Sequence, residues 1–161
     1  MTEARARVTG MLLTVACLVV AGGCSGAPSS DGPSSASAQA GAIPERAALG
    51  DAEVSASVVP TQGLNAVVAE RYGIERARNR VLVLVGLTAG EAPQRARVSG
   101  QARDLRGVAQ SLSFREVQVD GFIDYVAVAT ATPPDTLRIE LDVIDADGRR
   151  ATLRFSRDLV P

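Results

Sequence analysis

The chain has 161 residues, with 17 basic against 18 acidic side chains and no histidine. That length holds one hydrophobic core rather than two domains, and the near-neutral balance excludes a nucleic-acid surface built on bulk charge. The lack of histidine excludes Ser-His-Asp and Cys-His nucleophile systems and His-based zinc sites.

The N-terminus carries the parts of an export signal. Arg5 and Arg7 give a positive start, Met11 to Val20 is almost wholly apolar, and Ala21-Gly22-Gly23 forms a small-residue cleavage site before Cys24. A spanning helix needs about 20 apolar residues. This run is shorter and stops at two glycines, so it reads as a cleaved signal. An ordinary secretory signal cut elsewhere is the alternative. Small residues directly before a cysteine are what bacterial lipid transfer requires, so Cys24 is predicted to be the lipidated first residue of the mature chain. A diacylglyceryl group with an N-acyl chain would hold it stably, where a single acyl chain would not. Removing residues 1–23 leaves 15 basic and 17 acidic residues, and every basic residue is arginine. Cys17 leaves with the signal and Cys24 is used for lipid, so no disulfide forms within one chain.

Residues 24–47 are expected to be the lipidated cysteine and a flexible linker. Ser25 to Ser35 is rich in Ser, Gly and Pro with nothing apolar to bury. A coil of ~22 such residues spans about 25 Å.

Residues 48–161 form the folded domain, with strands separated by turn signals. Glu53 to Val59 is the first expected strand, ended by Pro60. Asn65 to Tyr72 is a short helix, with Asn65 as its cap and Gly73 in the left-handed position after it. Arg80 to Thr88 is apolar at both parities, which predicts a central strand buried on both faces. Ala89 to Pro93 is a turn, and Arg95 to Leu105 is a more polar strand near an edge. Gln110 to Val119 is read as one strand. Its apolar parity switches between Phe114 and Val117, which suggests a bulge at Arg115-Glu116. Asp120-Gly121 is a hairpin signal, followed by a strand from Phe122 to Ala131 and a turn at Thr132 to Asp135.

The last hairpin fixes its own register. Leu137, Ile139, Leu141 and Val143 alternate with polar residues, as do Ala151, Leu153 and Phe155. Directly opposed residues share a face. A two-residue loop would set Leu141 against Arg154. The three-residue loop Ala146-Asp147-Gly148 pairs Leu141 with Leu153 and Glu140 with Arg154, and puts Gly148 in the left-handed position such a loop needs. The expected fold is all-β with one short helix: an immunoglobulin-like antiparallel sandwich of about seven strands. A small open barrel with the helix plugging one end is the alternative.

Tyr72-Gly73-Ile74, Arg76 and Asn79-Arg80 form one recognisable group of residues. Val98-Ser99-Gly100, Phe114-Arg115-Glu116, Tyr125, Thr136-Leu137-Arg138 and Ala151 to Phe155 complete it. Together they resemble the proteobacterial envelope proteins grouped as domain of unknown function 4426, over about residues 52 to 158. The resemblance implies a small exported β domain with no assigned activity. The family's His-Tyr-Asn-Ala-Phe stretch is replaced by Ser55-Ala56-Ser57-Val58-Val59, so no role of that histidine or tyrosine carries over.

No P-loop or dinucleotide fingerprint is present, no cofactor is implied, and no catalytic residue is assigned. Asp142, Asp145 and Asp147 surround a turn, but without the twelve-residue loop and terminal Glu of a calcium site, so no metal site is assigned. Glu116 and Asp124 are read as neighbours across the Asp120-Gly121 hairpin, either a hydrolase-like carboxylate pair or two solvated positions. Arg76, Arg78 and Arg80 share one face if the chain is extended, with Arg71 just before them. They are candidate ligands for an anionic partner, or a solvated edge protected by charge. Arg115 and Glu116 are candidates for a structural ion-pair network.

The sequence therefore points to a membrane-tethered periplasmic lipoprotein acting as a non-catalytic binding or scaffolding module, with an envelope protein as partner. The alternatives are a carrier of a small apolar or anionic ligand and a carboxylate-based hydrolase. Ser25 rather than Asp after the cysteine points to the periplasmic face of the outer membrane.

Overall fold

The computed structural model describes residues 43–160, so the export signal, Cys24 and most of the linker lie outside the described residues. The chain forms β1 (Glu45–Leu49), β2 (Ala52–Pro60), a 3-10 turn (Thr61–Gly63), α1 (Ala66–Arg71) and β3 (Arg80–Ala89). Next come the two-residue β4 (Ala92–Pro93), β5 (Ala96–Arg103) and β6 (Ala109–Leu112). The chain closes with β7 (Arg115–Val119), β8 (Phe122–Thr130), β9 (Asp135–Asp145) and β10 (Arg150–Leu159). The larger sheet runs β1-β2-β3-β8-β7, with β4 extending the end of β3; the smaller runs β10-β9-β5-β6. The order β2-β3-β8-β7 facing β10-β9-β5-β6 is that of an immunoglobulin-like sandwich with an extra strand beside each three- or four-stranded core. No helix among the described residues is long and apolar enough to cross a membrane.

Two apolar clusters explain why β3 is apolar at both parities. Its odd-numbered residues Val81, Val83, Val85 and Leu87 face the space between the sheets, with Val54, Leu137, Leu141 and Val143. Its Leu82 and Leu84 face outward and are covered by Leu64, Ala69, Tyr72 and Ile74 of the α1 region. The helix thus forms a third layer on the outer face of the larger sheet. It plugs no end, and two separate sheets replace the barrel alternative.

The last hairpin has the expected register: Val143 pairs with Ala151, Leu141 with Leu153, Ile139 with Phe155 and Glu140 with Arg154. Asp145 and Arg149 close the three-residue loop, and Gly148 has φ 80°. Arg154 and Glu140 form the expected surface pair at 2.6 Å.

Several expectations are corrected. The described residues contain ten strands, not about seven. The chain is already paired at Glu45, so β1 takes the last residues assigned to the linker. Residues 110–119 are not one bulged strand. β6 belongs to the smaller sheet and β7 to the larger, so the chain changes sheets at Ser113-Phe114. The parity switch has a physical cause: Val117 and Val119 of β7 pack outward under α1 rather than into the sandwich. By contrast, β5 lies near an edge as expected: it neighbours the edge strand β6, which covers only Gly100 to Arg103 and leaves its first half open.

Candidate functional site

A polar cluster that joins distant segments lies where the end of α1 meets the β7–β8 hairpin. Asn65 starts the helix, its side-chain oxygen accepting from the Val68 N–H at 2.7 Å. The other end is a Schellman closure. The Ile74 N–H reaches the Ala69 carbonyl at 2.7 Å and the Gly73 N–H the Glu70 carbonyl at 2.9 Å, with Gly73 at φ 59°. Helix carbonyls beyond these still need donors. Arg115 of β7 supplies one, its guanidinium donating to the Tyr72 carbonyl and, at 3.5 Å, to that of Gly73. Arg71 pairs with Asp120 in the hairpin turn at 2.6 Å.

Tyr72 completes the junction. Its ring is buried, and its hydroxyl donates to Asp124 Oδ2 at 2.6 Å. Burial pushes the Tyr72 phenol well above its ordinary value, and the adjacent Asp124 adds to the shift. Burial likewise raises the Asp124 carboxyl, opposed by the Tyr72 hydrogen bond. No arginine pairs with Asp124 among the described residues. Its second oxygen, Oδ1, stands over Gly86: a Cβ there would lie 3.7 Å from it and 3.4 Å from Ser55 Oγ. Ser55, Gly86 and Asp124 thus form a polar notch, glycine-floored and half-buried, on the outer face beside the helix. Such a notch can accept a hydrogen bond or a cation, but it holds no base aligned with a nucleophile.

The sequence-predicted residues are dispersed. Only Arg80 of the arginine row lies in a strand, because residues 74–79 are coil and turn, so the shared face is lost. Arg76 donates to the Gln62 carbonyl at 2.9 Å and Arg80 to Glu75 at 2.7 Å. Arg78 is exposed with no partner among the described residues. Arg115 and Glu116 do not form one network, since adjacent strand residues point to opposite faces. Arg115 serves the helix end. Glu116 accepts from Gln118 at 3.1 Å and Tyr125 at 3.2 Å, and pairs with Arg95 at 3.5 Å. The Gln118 bond, opposed by burial and helped by Arg95, holds the Glu116 carboxyl below its usual range.

The same geometry separates Glu116 from Asp124. The register sets Glu116 opposite Tyr125 and Val117 opposite Asp124, so the two carboxylates lie on opposite faces of the sheet and are not a facing pair. Asp142 accepts from Thr152 at 2.7 Å, while Asp145 and Asp147 both bind Arg149, so these three carboxylates point to three different tasks. No group of three or more metal-ligating side chains occurs among the described residues.

Sequence reading missed Tyr72, Asp124 and Tyr125 as polar anchors. A signal existed: they include the only two tyrosines of a chain with 3% aromatics, and a buried tyrosine needs a partner for its hydroxyl. Tyr125 finds two. It accepts from the Ala96 N–H of the smaller sheet at 2.8 Å and donates to Glu116, so it ties the sheets together. Surface grooves of about 500, 270 and 490 Å³ lie at the β1–β2 turn, on the outer face of the smaller sheet and beside the last hairpin loop. None is lined by more than one buried core residue.

Comparison with known proteins places this geometry in a family. A crystal structure of a DUF4426 family protein from Pseudomonas aeruginosa PAO1 is 26% identical, with a TM-score of 0.63 over 73% of this chain and 95% of that one. FetP from uropathogenic Escherichia coli strain F11, recombinantly expressed in the periplasm, shares the fold at 12% identity, with a TM-score of 0.50 over the same shares of each chain. No curated protein sequence matches the chain. The model of the domain of unknown function DUF4426 matches residues 46–161, from the first strand to the C-terminus. The chain belongs to the DUF4426 family.

Proposed function

We propose that this protein is a lipid-tethered periplasmic module that binds an envelope partner and catalyses no reaction. The observation that carries the reading is Cys24 directly behind Ala21-Gly22-Gly23 and the apolar run from Met11, followed by a Ser/Gly/Pro-rich segment. A tethered β domain suits a partner already at the membrane. Ser25 after the cysteine favours the outer membrane, by analogy with enterobacterial sorting.

Two features of the domain support a binding role over catalysis. Most charged side chains near α1 are engaged in holding the fold, as Arg71, Arg80 and Arg115 are. The groups left open, Asp124 Oδ1 beside Ser55 and the Arg78 guanidinium, are single recognition points rather than an acid–base pair. The hydrolase alternative loses its carboxylate pair to the register. The carrier alternative needs a cavity between the sheets, where Val54, Val83, Leu137 and Leu141 are packed to zero exposure.

The test is mass spectrometry of the mature N-terminus, followed by crosslinking of the tagged protein in cells beside a Cys24→Ser control. A lipidated Cys24 and one specific envelope protein, reduced in the control, are the expected results. An unmodified N-terminus elsewhere overturns the tether. A copurifying lipid or glycan without a protein partner overturns the binding-module reading in favour of a carrier or an enzyme.

A further inference from the structure

The two ends of the sandwich differ, and the difference has a consequence for orientation. The chain enters the domain at Ile43, beside the end of β10, where the Arg157 guanidinium donates to the Ile43 carbonyl. The antiparallel order places the same pole at the start of β3, the β5–β6 turn and the start of β9. Hydrogen bonds join these loops: Ala131 to the Asn79 carbonyl at 3.1 Å, and Leu105 N–H to Asp135 at 3.1 Å.

Four of the six strongly exposed large apolar side chains among the described residues stand at this pole: Ile43 (79% exposed), Leu105 (57%), Val108 (59%) and Val160 (76%). They come from three separate segments, and β10 and β5 are two strand spacings apart, about 10 Å. Isolated exposed apolar residues need no explanation, but a cluster from unrelated segments does. Arginines accompany it. Arg78 has no partner among the described residues, while Arg106 in the β5–β6 turn, 85% exposed at its side chain, is paired with Asp104 at 3.3 Å, and Glu75 at the same pole is paired with Arg80. The turns of the opposite pole carry Asp51, Glu91, Asp120 and Asp147, against Arg95 and Arg149.

We infer that the pole where the linker enters is a membrane-contact face that seats the domain on an anionic phospholipid surface. Apolar tips flanked by arginines match the headgroup boundary, where the tips enter and the cations meet phosphate. The acidic far pole is repelled from the same surface, which sets the orientation. The inference rests on the lipid-anchor reading for its local concentration. A tether of that composition would give a root-mean-square separation of about 25 Å from the bilayer, so the tether and the patch would act as two linked weak signals. The Tyr72–Asp124 side of the sandwich is then left free for a partner.

The test uses the lipidated mature chain, whose only cysteine carries the lipid. Single cysteines at Leu105→Cys and, as the distal control, Ala146→Cys take a polarity-sensitive fluorophore. The protein is reconstituted in vesicles of phosphatidylethanolamine with phosphatidylglycerol, or of phosphatidylcholine alone. The expected result is a blue shift and several-fold protection from an aqueous quencher at position 105, not at 146, and only with phosphatidylglycerol. Raising salt from about 0.1 M to about 1 M shortens the screening length from about 10 Å to about 3 Å and should remove most of the protection. Arg78→Glu should weaken the contact about five-fold or more. Equal quenching of the two probes overturns the inference, as does equal protection on phosphatidylcholine. Protection at 105 that appears only after an envelope protein extract is added also overturns it, in favour of a protein interface. Mass spectrometry of the same sample judges the tether separately. If Cys24 proves unmodified, the two probes in the Cys24→Ser chain with the same vesicles still decide the pole, by weaker but salt-sensitive protection at 105 or by none.

Discussion

Asp124 is the residue that the fold explains least by stability. It is a half-buried carboxylate without a cationic partner among the described residues, and burial raises its pKa despite the Tyr72 hydrogen bond. A carboxyl raised in the folded state binds its proton more tightly there than in the unfolded chain. Its ionisation therefore costs stability as pH rises from the ordinary carboxylate range through the raised folded value, and acidification through that window restores it. Asp124→Asn keeps an acceptor for Tyr72 and removes the charge. The variant should match or exceed the parent's melting temperature at pH 7, with the advantage shrinking as pH falls below the raised value. Thermal melts from pH 4 to pH 8 check this; a variant less stable than the parent at pH 7 would show that the ionised form stabilises the fold. Gly100 poses the reverse case, a residue that packing alone requires. A Cβ there would lie 2.5 Å from the Glu140 carbonyl oxygen and 2.7 Å from Leu141 Cδ2, and the backbone oxygen cannot move without breaking the β5–β9 ladder. Gly100→Ala should cost about 1–3 kcal/mol, read as a lower denaturant midpoint at unchanged slope.

Among the elements, α1 has only six residues, well below the length at which an isolated helix is stable. Its stability is borrowed from the apolar face that Ala69 and Tyr72 bury and from the donors at its end. Arg115→Ala removes the side-chain donor to the Tyr72 carbonyl while leaving the Schellman bonds in place. The expected loss is about 1 kcal/mol, with faster amide exchange over Ala69 to Ile74 and unchanged exchange in β9 and β10. A uniform loss across the domain would mean that Arg115 supports the sheet rather than the helix. The β9–β10 hairpin behaves differently, because its loop is self-contained. Asp145 accepts from the Asp147 and Arg149 N–H groups at 2.9 Å and from Arg149 Nε at 2.6 Å. Burial opposes, but the Arg149 contacts outweigh it, and the Asp145 carboxyl sits below its usual range.

For the whole molecule, the two sheets are joined by more than apolar packing. Tyr125 links β8 to the start of β5, and Gln110 of β6 both donates to the Thr130 carbonyl at 2.7 Å and accepts from the Thr130 N–H at 2.8 Å. Arg157, facing inward on the edge strand β10, stacks on Phe155 at 5.3 Å and holds the entering chain. An inward-facing charge on an edge strand also discourages pairing with another sheet. These ties join the two sheets of the described domain, whose two poles differ. An oriented tether, rather than a freely tumbling one, is the mechanical consequence if the pole where the linker enters meets the bilayer.

Local chemistry was readable from the chain alone. The alternation of β9 and β10 set their register because a one-residue slip would expose Leu141 and bury Arg154. Asn65 and Gly73 bounded α1 because capping acts over three or four residues. The doubly apolar run in β3 announced a strand covered on both sides. Family membership also followed from residues in order. What only the tertiary structure decided were pairings between distant segments: that β6 and β7 belong to different sheets, that Glu116 and Asp124 face apart, and that Arg115 serves a helix end some 40 residues earlier. An apolar parity reports that a face is buried but not what covers it, and in β7 the cover was the helix layer rather than the opposite sheet. Charge partners obey the same limit. Coulomb energy depends on distance in space, and the turns that bring Arg71 to Asp120 and Tyr72 to Asp124 exist only once the strands have paired.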